Sequence, residues 1–391
     1  MKTAAPIEHA VQLSGQDGKG RPILSVIAKR TYRLERRRSP RTADCILSDE
    51  QLPLQPLTVD EAQPELVVQD SDTAPWKPLT DVVVRGHAYC PGSAAEFTAS
   101  VSVGAVTKAL AIIGDRRCAL SATGRVVFGE PAPFEKMPLR YDRAYGGIDT
   151  VALAKHGDPF AALLPYISPH LRTARHGPYR YPRNGAGRGY VIDATAEALE
   201  ALALPNIEDP SDRLSPSRLA VGSVGRWPRM PLPWGTDWSS FACFPRIGYL
   251  GGTPAHEPFE GPFPEVRRGF MPEGFPRMGG PPEAWHDRAC NAGSFGLQVG
   301  PVTSQGAGTV ELRLLNMHPR AQSLSFHLPA EGPKISVDGR DGTLLPTAPA
   351  VHHVVIEPDL DRVSVVWRGS APAVRRYLPH ELEKMPFSVE W

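Results

Sequence analysis

Alternating apolar and polar positions dominate the first third of the chain, and they predict β-strands. The clearest runs lie between Asp81 and Gly129, where VVVRGHAY, FTASVSVG, VTKALAIIGDR and RVVFG are separated by Gly, Pro or Asp. Period-2 alternation with β-branched residues is typical of strands, and the separating residues are typical of turns. We therefore predict an antiparallel meander over residues 81–129.

The same pattern occurs near both ends of the chain. Ala10–Leu13 and Pro22–Leu34 flank a glycine-rich turn at 15–20, which predicts a β-hairpin. Short β-like runs then follow one another over Phe295–Gly369 with turn residues between them, as in a β-sandwich. Arg375–Trp391 is expected to add a short helix and a last strand.

One stretch of the middle region has a helical period. Asp193–Leu204 (DATAEALEALAL) predicts a helix with Asp193 as its N-cap, and Pro205 ends it. Its apolar face consists of Ala198, Leu199 and Leu202. Val151–Tyr166 adds only broken helical turns, because glycine and prolines interrupt it.

The remainder of the middle region is irregular. Between Asn206 and Cys290, tryptophans are scattered among prolines and glycines. Such a segment depends for its order on aromatic packing, either onto the sheets or onto a partner. Both alternatives stay open at this point.

These patterns predict a mainly β fold, with antiparallel sheets or sandwich-like units at both ends. Between them we expect a long irregular Pro/Gly/Trp-rich middle with one or two short helices. The predicted parts are residues 1–150, 151–290 and 291–391, all within one unit. A chain of 391 residues is long enough to bury a sizeable core.

Charge and hydropathy narrow the classes of partner. The chain has 43 basic and 42 acidic residues and a formal net charge of +1, so no long-range field favours nucleic acid or an anionic membrane. It contains neither an apolar run of membrane-spanning length nor a secretory h-region. We expect a cytoplasmic protein that does not bind nucleic acid or insert into a membrane.

Metal and thiol chemistry receive little support. The 5 cysteines are widely spaced and form no C-x-x-C pair, which favours buried free thiols. His286, Asp287 and Cys290 are close in sequence, but a metal site there needs further ligands from elsewhere. Adjacent His352 and His353 are expected to point to opposite faces of a strand and so not to bind one ion together. We predict no metal.

A glycine-rich stretch at Tyr179–Tyr190 (YRYPRNGAGRGY) suggests a phosphate loop at first sight. Its glycines at 185, 187 and 189 match neither G-x-G-x-x-G nor G-x-x-x-x-G-K-[ST], and no strand-loop-helix pattern surrounds them. A structural glycine loop is therefore favoured, and no cofactor is predicted.

A second dense stretch is Phe134–Asp149 (FEKMPLRYDRAYGGID), which combines aromatic residues with opposite charges. Gly146 and Gly147 allow a sharp turn, because glycine adopts backbone dihedrals closed to other residues. Asp142 and Arg143 are expected to pair. Nothing in this stretch indicates catalytic chemistry.

Several stretches together resemble one family, the bacterial domain of unknown function family 2169. They occur in the family's order over nearly the whole chain: KRTYRL (29–34), TDVVVRGHAY (80–89), VGAVTKALAIIGDR (103–116), FEKMPLRYDRAYGGID (134–149), NGAGRGY (184–190), LPNIEDP (204–210) and VVWRG (365–369). Two departures stand out. Gly185 replaces a common proline, and Val221–Pro254 follows the family pattern only loosely, at Gly235, Thr236 and Trp238.

The resemblance implies a function, because members of this family look like type VI secretion adaptors. It implies a cytoplasmic, non-catalytic, chaperone-like protein that binds an effector toxin and helps to place it on a spike-tip protein of the VgrG or PAAR type. The predicted binding residues are Arg143, Tyr145, Asn184, Trp234 and Trp238. The predicted structural glycines are Gly146, Gly147, Gly187 and Gly189.

Two other functions stay open. The first is a hydrolase-type effector or enzyme with an acid/base site in the middle region, which predicts two carboxylates, or a histidine and a carboxylate, within hydrogen-bonding reach in a cleft. The second is a structural component of the secretion spike or baseplate, which predicts stable self-assembly or fixed stoichiometry with spike proteins.

Overall fold

The computed structural model describes residues 9–17, 21–36, 41–63, 66–158, 179–181, 183–238, 291–294 and 296–391. The strands of these residues are, in chain order, β1 (Ala10–Gln16), β2 (Pro22–Arg36), β3 (Ala43–Leu47), β4 (Thr58–Val59), β5 (Val67–Gln69), β6 (Thr80–Val84), β7 (His87–Ala94), β8 (Glu96–Val103), β9 (Val106–Ile113), β10 (Cys118–Leu120), β11 (Val126–Phe128), β12 (Phe134–Pro138), β13 (Tyr145–Gly146), β14 (Arg188–Gly189), β15 (Ile207–Glu208), β16 (Gln298–Val299), β17 (Glu311–His318), β18 (Ala321–His327), β19 (Lys334–Asp338), β20 (Leu344–Pro346), β21 (Ala350–Glu357), β22 (Arg362–Pro372) and β23 (Ser388–Glu390). The α-helices are α1 (Thr150–His156), α2 (Ala196–Ala201) and α3 (Pro379–Leu382). None of these described helices has the length and apolar character needed to cross a membrane.

The larger sheet is organised around β2, a strand of 15 residues. Its strands follow the order β1-β2-β22-β21-β6-β16, and β3 also pairs with β2. β1 pairs with residues 22–28 of β2 and β3 with residues 32–36, while β22 pairs with residues 23–33. The predicted hairpin of β1 and β2 is confirmed, with Ala10 opposite Ala28.

The second sheet has the strand order β15-β9-β8-β17-β18 and is antiparallel throughout. Strands from the beginning and the end of the chain share both sheets, as the pairs β2–β22 and β8–β17 demonstrate. One buried apolar cluster contains side chains of both sheets, among them Leu24, Val26, Val101, Leu110, Leu312 and Val365. The mainly β, sandwich-like prediction is confirmed, whereas the boundaries at 150 and 290 stay a prediction.

The predicted meander over 81–129 is only partly correct. β8 and β9 form a hairpin, but β6 pairs in parallel with β21 and antiparallel with β16, and β7 pairs with β12. Gly86 separates β6 from β7. Its φ is 139°, a backbone conformation that residues other than glycine rarely adopt. The chain therefore leaves the larger sheet after β6, and it does not fold back beside it.

The helices differ from prediction in their ends. α2 covers only 196–201, and its N-cap is Thr195, whose hydroxyl accepts the Ala198 N–H at 3.1 Å. The predicted cap, Asp193, lies outside the helix, since a cap must immediately precede the first turn to reach its free N–H groups. The short helix and last strand predicted for the C-terminal segment are confirmed as α3 and β23.

Part of the irregular middle lies within the described residues. Residues 206–238 contain β15 and two 3-10 turns, Pro216–Arg218 and Val224–Arg229. Residues 239–290 of this region, with the predictions made for His286, Asp287 and Cys290, lie outside the described residues.

Buried charges hold the segment before β6 against the larger sheet. The Lys29 ammonium lies 2.7 Å from Asp72, and the His353 Nε2 atom lies 2.8 Å from the other oxygen of the same carboxylate. The Lys77 ammonium pairs with Asp81 at 2.9 Å. All five side chains are buried, so their mutual contacts replace the hydrogen bonds to water that these groups have lost.

Candidate functional site

The two dense sequence stretches pair with each other. β13 and β14 run parallel, with Tyr145 opposite Arg188 and Gly146 opposite Gly189. The Arg188 N–H donates to the Ala144 carbonyl at 2.9 Å, and the Gly147 N–H donates to the Asn184 carbonyl at 2.8 Å. Residues 141–149 and 183–190 thus form one unit, called the signature joint below.

The Asn184 side chain connects the two stretches of the signature joint by hydrogen bonds. Its amide nitrogen donates to the carbonyls of Tyr141 at 2.7 Å and Tyr145 at 3.1 Å. The side chain is buried, so these bonds are shielded from water. Asn184 was predicted as a binding residue, and here it fixes the path of the backbone around residues 141–145.

The glycines of the joint lie where its two stretches approach most closely. Gly146, Gly147 and Gly189 have φ values of 148°, 99° and 94°. A Cβ atom at Gly146 would overlap the Asn184 carbonyl oxygen, and one at Gly187 would lie 2.6 Å from the Ala144 carbonyl oxygen. These positions favour glycine for conformation, for space, or for both.

Tyr145 belongs to an aromatic cluster that extends from the joint to Tyr181 and Trp227. Its ring meets Tyr181 edge-on at 5.0 Å between centroids, and Tyr181 also contacts Tyr190 and Trp227. The Tyr181 hydroxyl donates to the Pro231 carbonyl at 3.0 Å. Burial raises the pKa of Tyr145 well above its usual value, so the phenol stays neutral.

The two predicted tryptophan anchors have different environments. Trp238 is fully buried and meets the His353 ring edge-on at 5.2 Å between centroids. Trp234 is partly buried; its indole N–H donates to the Ala109 carbonyl at 2.7 Å, and the Lys108 ammonium lies 4.0 Å from its ring centroid. An anchor for a partner needs an exposed ring, and Trp238 is a core residue. Binding by Trp234 stays a prediction.

The expected pair of Asp142 and Arg143 does not form. Both residues lie in a 3-10 turn over 141–143, where successive side chains point in different directions. Asp142 lies 3.6 Å from the Arg140 Nε atom instead. Arg143 is partly buried.

The expected opposite orientation of His352 and His353 is wrong. The register of β21 against β22 shifts between Val351 and His353, and this bulge places the two imidazole rings 5.4 Å apart. Burial lowers the pKa of both rings, and the neighbouring Lys77 charge acts in the same direction. No group of three or more metal-binding side chains occurs within the part of the chain that is described.

One histidine–carboxylate pair is partly exposed. The His87 Nδ1 atom lies 2.7 Å from Asp359, and the Tyr89 hydroxyl donates to the same carboxylate at 3.0 Å. Such a pair can position a general base. It lies on β7 and after β21, outside the middle region in which the hydrolase alternative placed its site.

The described cysteines are free thiols. Cys118 is buried, while Cys45 and Cys90 are partly buried. Burial raises the pKa of Cys45 to about 12, so its thiol remains protonated and unreactive near neutral pH. Cys243 and Cys290 lie outside the described residues.

Asp237 is a buried acid beside Trp238. Its Oδ1 atom lies 3.4 Å from the Arg85 Nε atom and accepts the Trp238 N–H at 2.8 Å. Burial raises the pKa of Asp237 to about 7, although the Arg85 charge acts in the opposite direction. The pKa of an aspartate in the unfolded chain is about 3.9. Ionisation of Asp237 therefore lowers the free energy of unfolding as the pH rises from about 3.9 through about 7.

We expect the Asp237→Asn variant to gain stability over the wild type as the pH rises. An asparagine still accepts the Trp238 N–H but does not ionise, so the difference should grow by roughly 2 kcal/mol between about pH 5 and pH 8. Urea unfolding at both pH values measures it. Asp341→Asn, at a fully exposed carboxylate with a lowered pKa, is the control and should give no such change. A constant difference for Asp237→Asn would contradict the assignment.

The fold and the joint define the class of the protein: a mainly β protein in which two sequence signatures meet in one buried joint. A family model described as "Uncharacterized protein conserved in bacteria (DUF2169)" matches residues 19–368. The chain belongs to this family. No curated protein and no solved structure matches it.

Proposed function

We propose that the protein is a non-catalytic cytoplasmic adaptor of type VI secretion. In this role it binds an effector toxin and promotes its loading onto a spike-tip protein of the VgrG or PAAR type. The role is carried over from the resemblance of the signature stretches to adaptors, and the structure adds physical support for a binding protein.

The observation that carries the proposal is the use of the signature side chains. The Asn184 amide donates hydrogen bonds to two backbone carbonyls, and Tyr145 packs inside an aromatic cluster. The signature residues thus build a rigid scaffold, and a rigid scaffold limits the ordering cost of binding. This supports a protein that presents surfaces to partners.

An edge strand offers one such surface. β20 lies at the edge of the small sheet β20-β19-β23, and all three of its residues are exposed. Leu344 and Leu345 are 41% and 43% exposed. β20 is only three residues long and ends in Pro346, which limits strand addition at this edge. Its exposed leucine side chains can instead pack against an apolar surface of a partner.

We expect the tagged wild-type protein to recover an effector toxin and a spike-tip protein from its native cytoplasm. The Leu344→Asp/Leu345→Asp variant should lose at least one of them, because charged side chains at these positions oppose packing against an apolar partner surface. Val106→Asp, at an exposed residue of β9 that is 43% accessible, is the matched control and should keep both. Affinity capture with mass spectrometry measures recovery, and thermal unfolding checks that each variant is folded.

Two outcomes would change this view. If wild type recovers no secretion protein while the system is expressed, the adaptor proposal is wrong, and hydrolase assays should follow, starting at His87 and Asp359. If the β20 variant keeps both proteins, the adaptor role stands and the binding surface lies elsewhere.

A further inference from the structure

Residues 373–391 form a segment, called the strap below, that packs on the apolar core shared by the two sheets. β23 pairs with β19 over three residues, and Met385 and Val389 are buried in the core cluster. The Arg30 guanidinium lies 3.9 Å from the centroid of the Trp391 ring. The strap is therefore held by a short strand, two buried anchors and one stacked ring.

The entry to the strap is exposed. Apart from Tyr377, residues 374–380 are exposed to solvent. Arg375 and Glu381 form an ion pair at the surface, and such pairs contribute little to stability. The family model also ends at residue 368, before the strap. A terminal segment with few buried anchors opens locally at a lower free energy than the whole fold, so we expect the strap to detach while both sheets stay folded.

A buried amide of β1 is not satisfied by the strap. Gln12 is 6% exposed, and neither polar atom of its side chain has a hydrogen-bond partner within the described ranges. It lies opposite Val26, a core residue, so its side chain faces the core. Ser14 is two residues further on the same face, and its hydroxyl accepts the Tyr377 N–H of the strap at 2.8 Å. A buried amide beside the strap thus has lost its hydration without gaining a hydrogen bond.

We propose that the strap occupies a peptide-binding site, and that an extended apolar segment of a protein partner replaces it there. β19 pairs with the incoming segment in place of β23, which is recognition by strand addition. The places of Met385 and Val389 accept apolar side chains, and the Arg30 guanidinium accepts an aromatic ring.

The Gln12 amide favours a foreign protein over a second copy of this chain as the occupant. A side-chain amide has both donors and an acceptor, so it matches a backbone peptide group. The strap of a second copy has the same sequence and would leave Gln12 as the chain's own strap leaves it. A different segment whose backbone reaches β1 satisfies the amide.

Binding at this site deepens the proposed function, on which it rests for the identity of the partner, because it names the kind of segment that the partner contributes. Opening of the strap can be measured on the isolated wild-type chain by hydrogen exchange with mass spectrometry. We expect the amides of β23 to exchange at least roughly 100-fold faster than those of β2, after correction for intrinsic rates. Equal protection of the two strands would mean that the strap leaves only when the whole fold unfolds, and the site would be wrong.

A reversible disulfide tests replacement of the strap. Ser336 of β19 lies opposite Ser388 of β23, so Ser336→Cys/Ser388→Cys places two thiols within the span of a disulfide. The probe is a fluorescein-labelled peptide with the sequence of residues 379–391. We expect the reduced variant to bind it saturably and the oxidised variant to bind it about 10-fold more weakly or less, because the disulfide keeps the strap in place.

The same variant in two redox states is its own control, and thermal unfolding checks that both states are folded. A peptide carrying Met385→Asp and Val389→Asp should bind neither state, since it lacks both anchors. Equal binding of the unaltered peptide by the two states, or equal binding of the two peptides by the reduced state, would overturn the proposal. A dimer that light scattering detects only in the reduced state would make a second copy the occupant, and the assignment to a foreign partner would be wrong.

A captured partner allows a further test. The reduced variant should bind it about 10-fold or more tightly than the oxidised variant, and Gln12→Leu should weaken its binding without weakening that of the strap peptide. If both redox states bind the partner equally, the strap site is wrong and the adaptor role stands. If the peptide replaces the strap and no secretion protein is recovered, the site stands and the adaptor role is wrong.

Discussion

Replacing Gly146 by alanine is expected to destabilise the protein by about 3 kcal/mol or more. The new methyl group would overlap the Asn184 carbonyl oxygen, at a residue whose φ is 148°. Because the obstacle is backbone, no side-chain rotation relieves it. Asn184 would have to move, and the carbonyls of Tyr141 and Tyr145 would lose their donor. Urea unfolding measures the loss.

Gly104→Ala is the matched control for this prediction. Gly104 also has a positive φ, 56°, but no heavy atom lies within 4 Å of the place that a Cβ atom would occupy. The control therefore isolates the cost of the backbone conformation, about 1 kcal/mol. Equal losses in the two variants would mean that the close approach inside the signature joint does not contribute to stability.

Replacing Asp72 by alanine is expected to cost about 3–5 kcal/mol, because it leaves the buried Lys29 ammonium without its counter-charge. His353 would lose its hydrogen-bond partner in the same change. Unfolding by urea near neutral pH measures the effect. Glu311→Ala is the control, since Glu311 and Arg313 form an exposed pair at 3.3 Å, and such pairs contribute less than about 1 kcal/mol.

The pH dependence of the Asp72 variant has a defined sign. His353 and Lys29 lower the pKa of Asp72 to about 2 against the opposing effect of burial. The carboxylate therefore stabilises the fold above its unfolded pKa, and this contribution is lost as the pH falls towards 2. Wild type and Asp72→Ala should converge in acid, and a gap that stays constant down to pH 2 would contradict the assignment.

Strand positions were largely predictable from the sequence, but strand partners were not. The alternation in β8 marks it as a strand because its alternate side chains are buried. β2 is recognisable from its β-branched and apolar residues, and it is buried over seven consecutive positions, 23–29. The same pattern does not encode which strand lies next to which. β6 pairs in parallel with β21, far along the chain, and a meander of neighbours was the natural but incorrect expectation.

The candidate site was predictable in conformation and not in environment. A pair of adjacent glycines indicates unusual backbone dihedrals, and Gly146 and Gly147 adopt them. A tryptophan in an irregular segment gives no such signal, because core and interface residues have the same composition, and Trp238 is in the core. The orientations of Arg143 and His352 depend on a 3-10 turn and a β-bulge, which a regular period cannot predict.

The pairing of β2 with β22 has a consequence for how the protein is made. β2 ends at Arg36, and β22, its partner along most of its length, begins only at Arg362, more than 300 residues later. At roughly 5–20 residues per second, an edge of β2 waits tens of seconds for that partner on the ribosome. Contacts between such distant segments also form slowly. A chain released before β22 is complete would expose this edge, and we therefore expect truncated products to aggregate and not to accumulate as folded fragments.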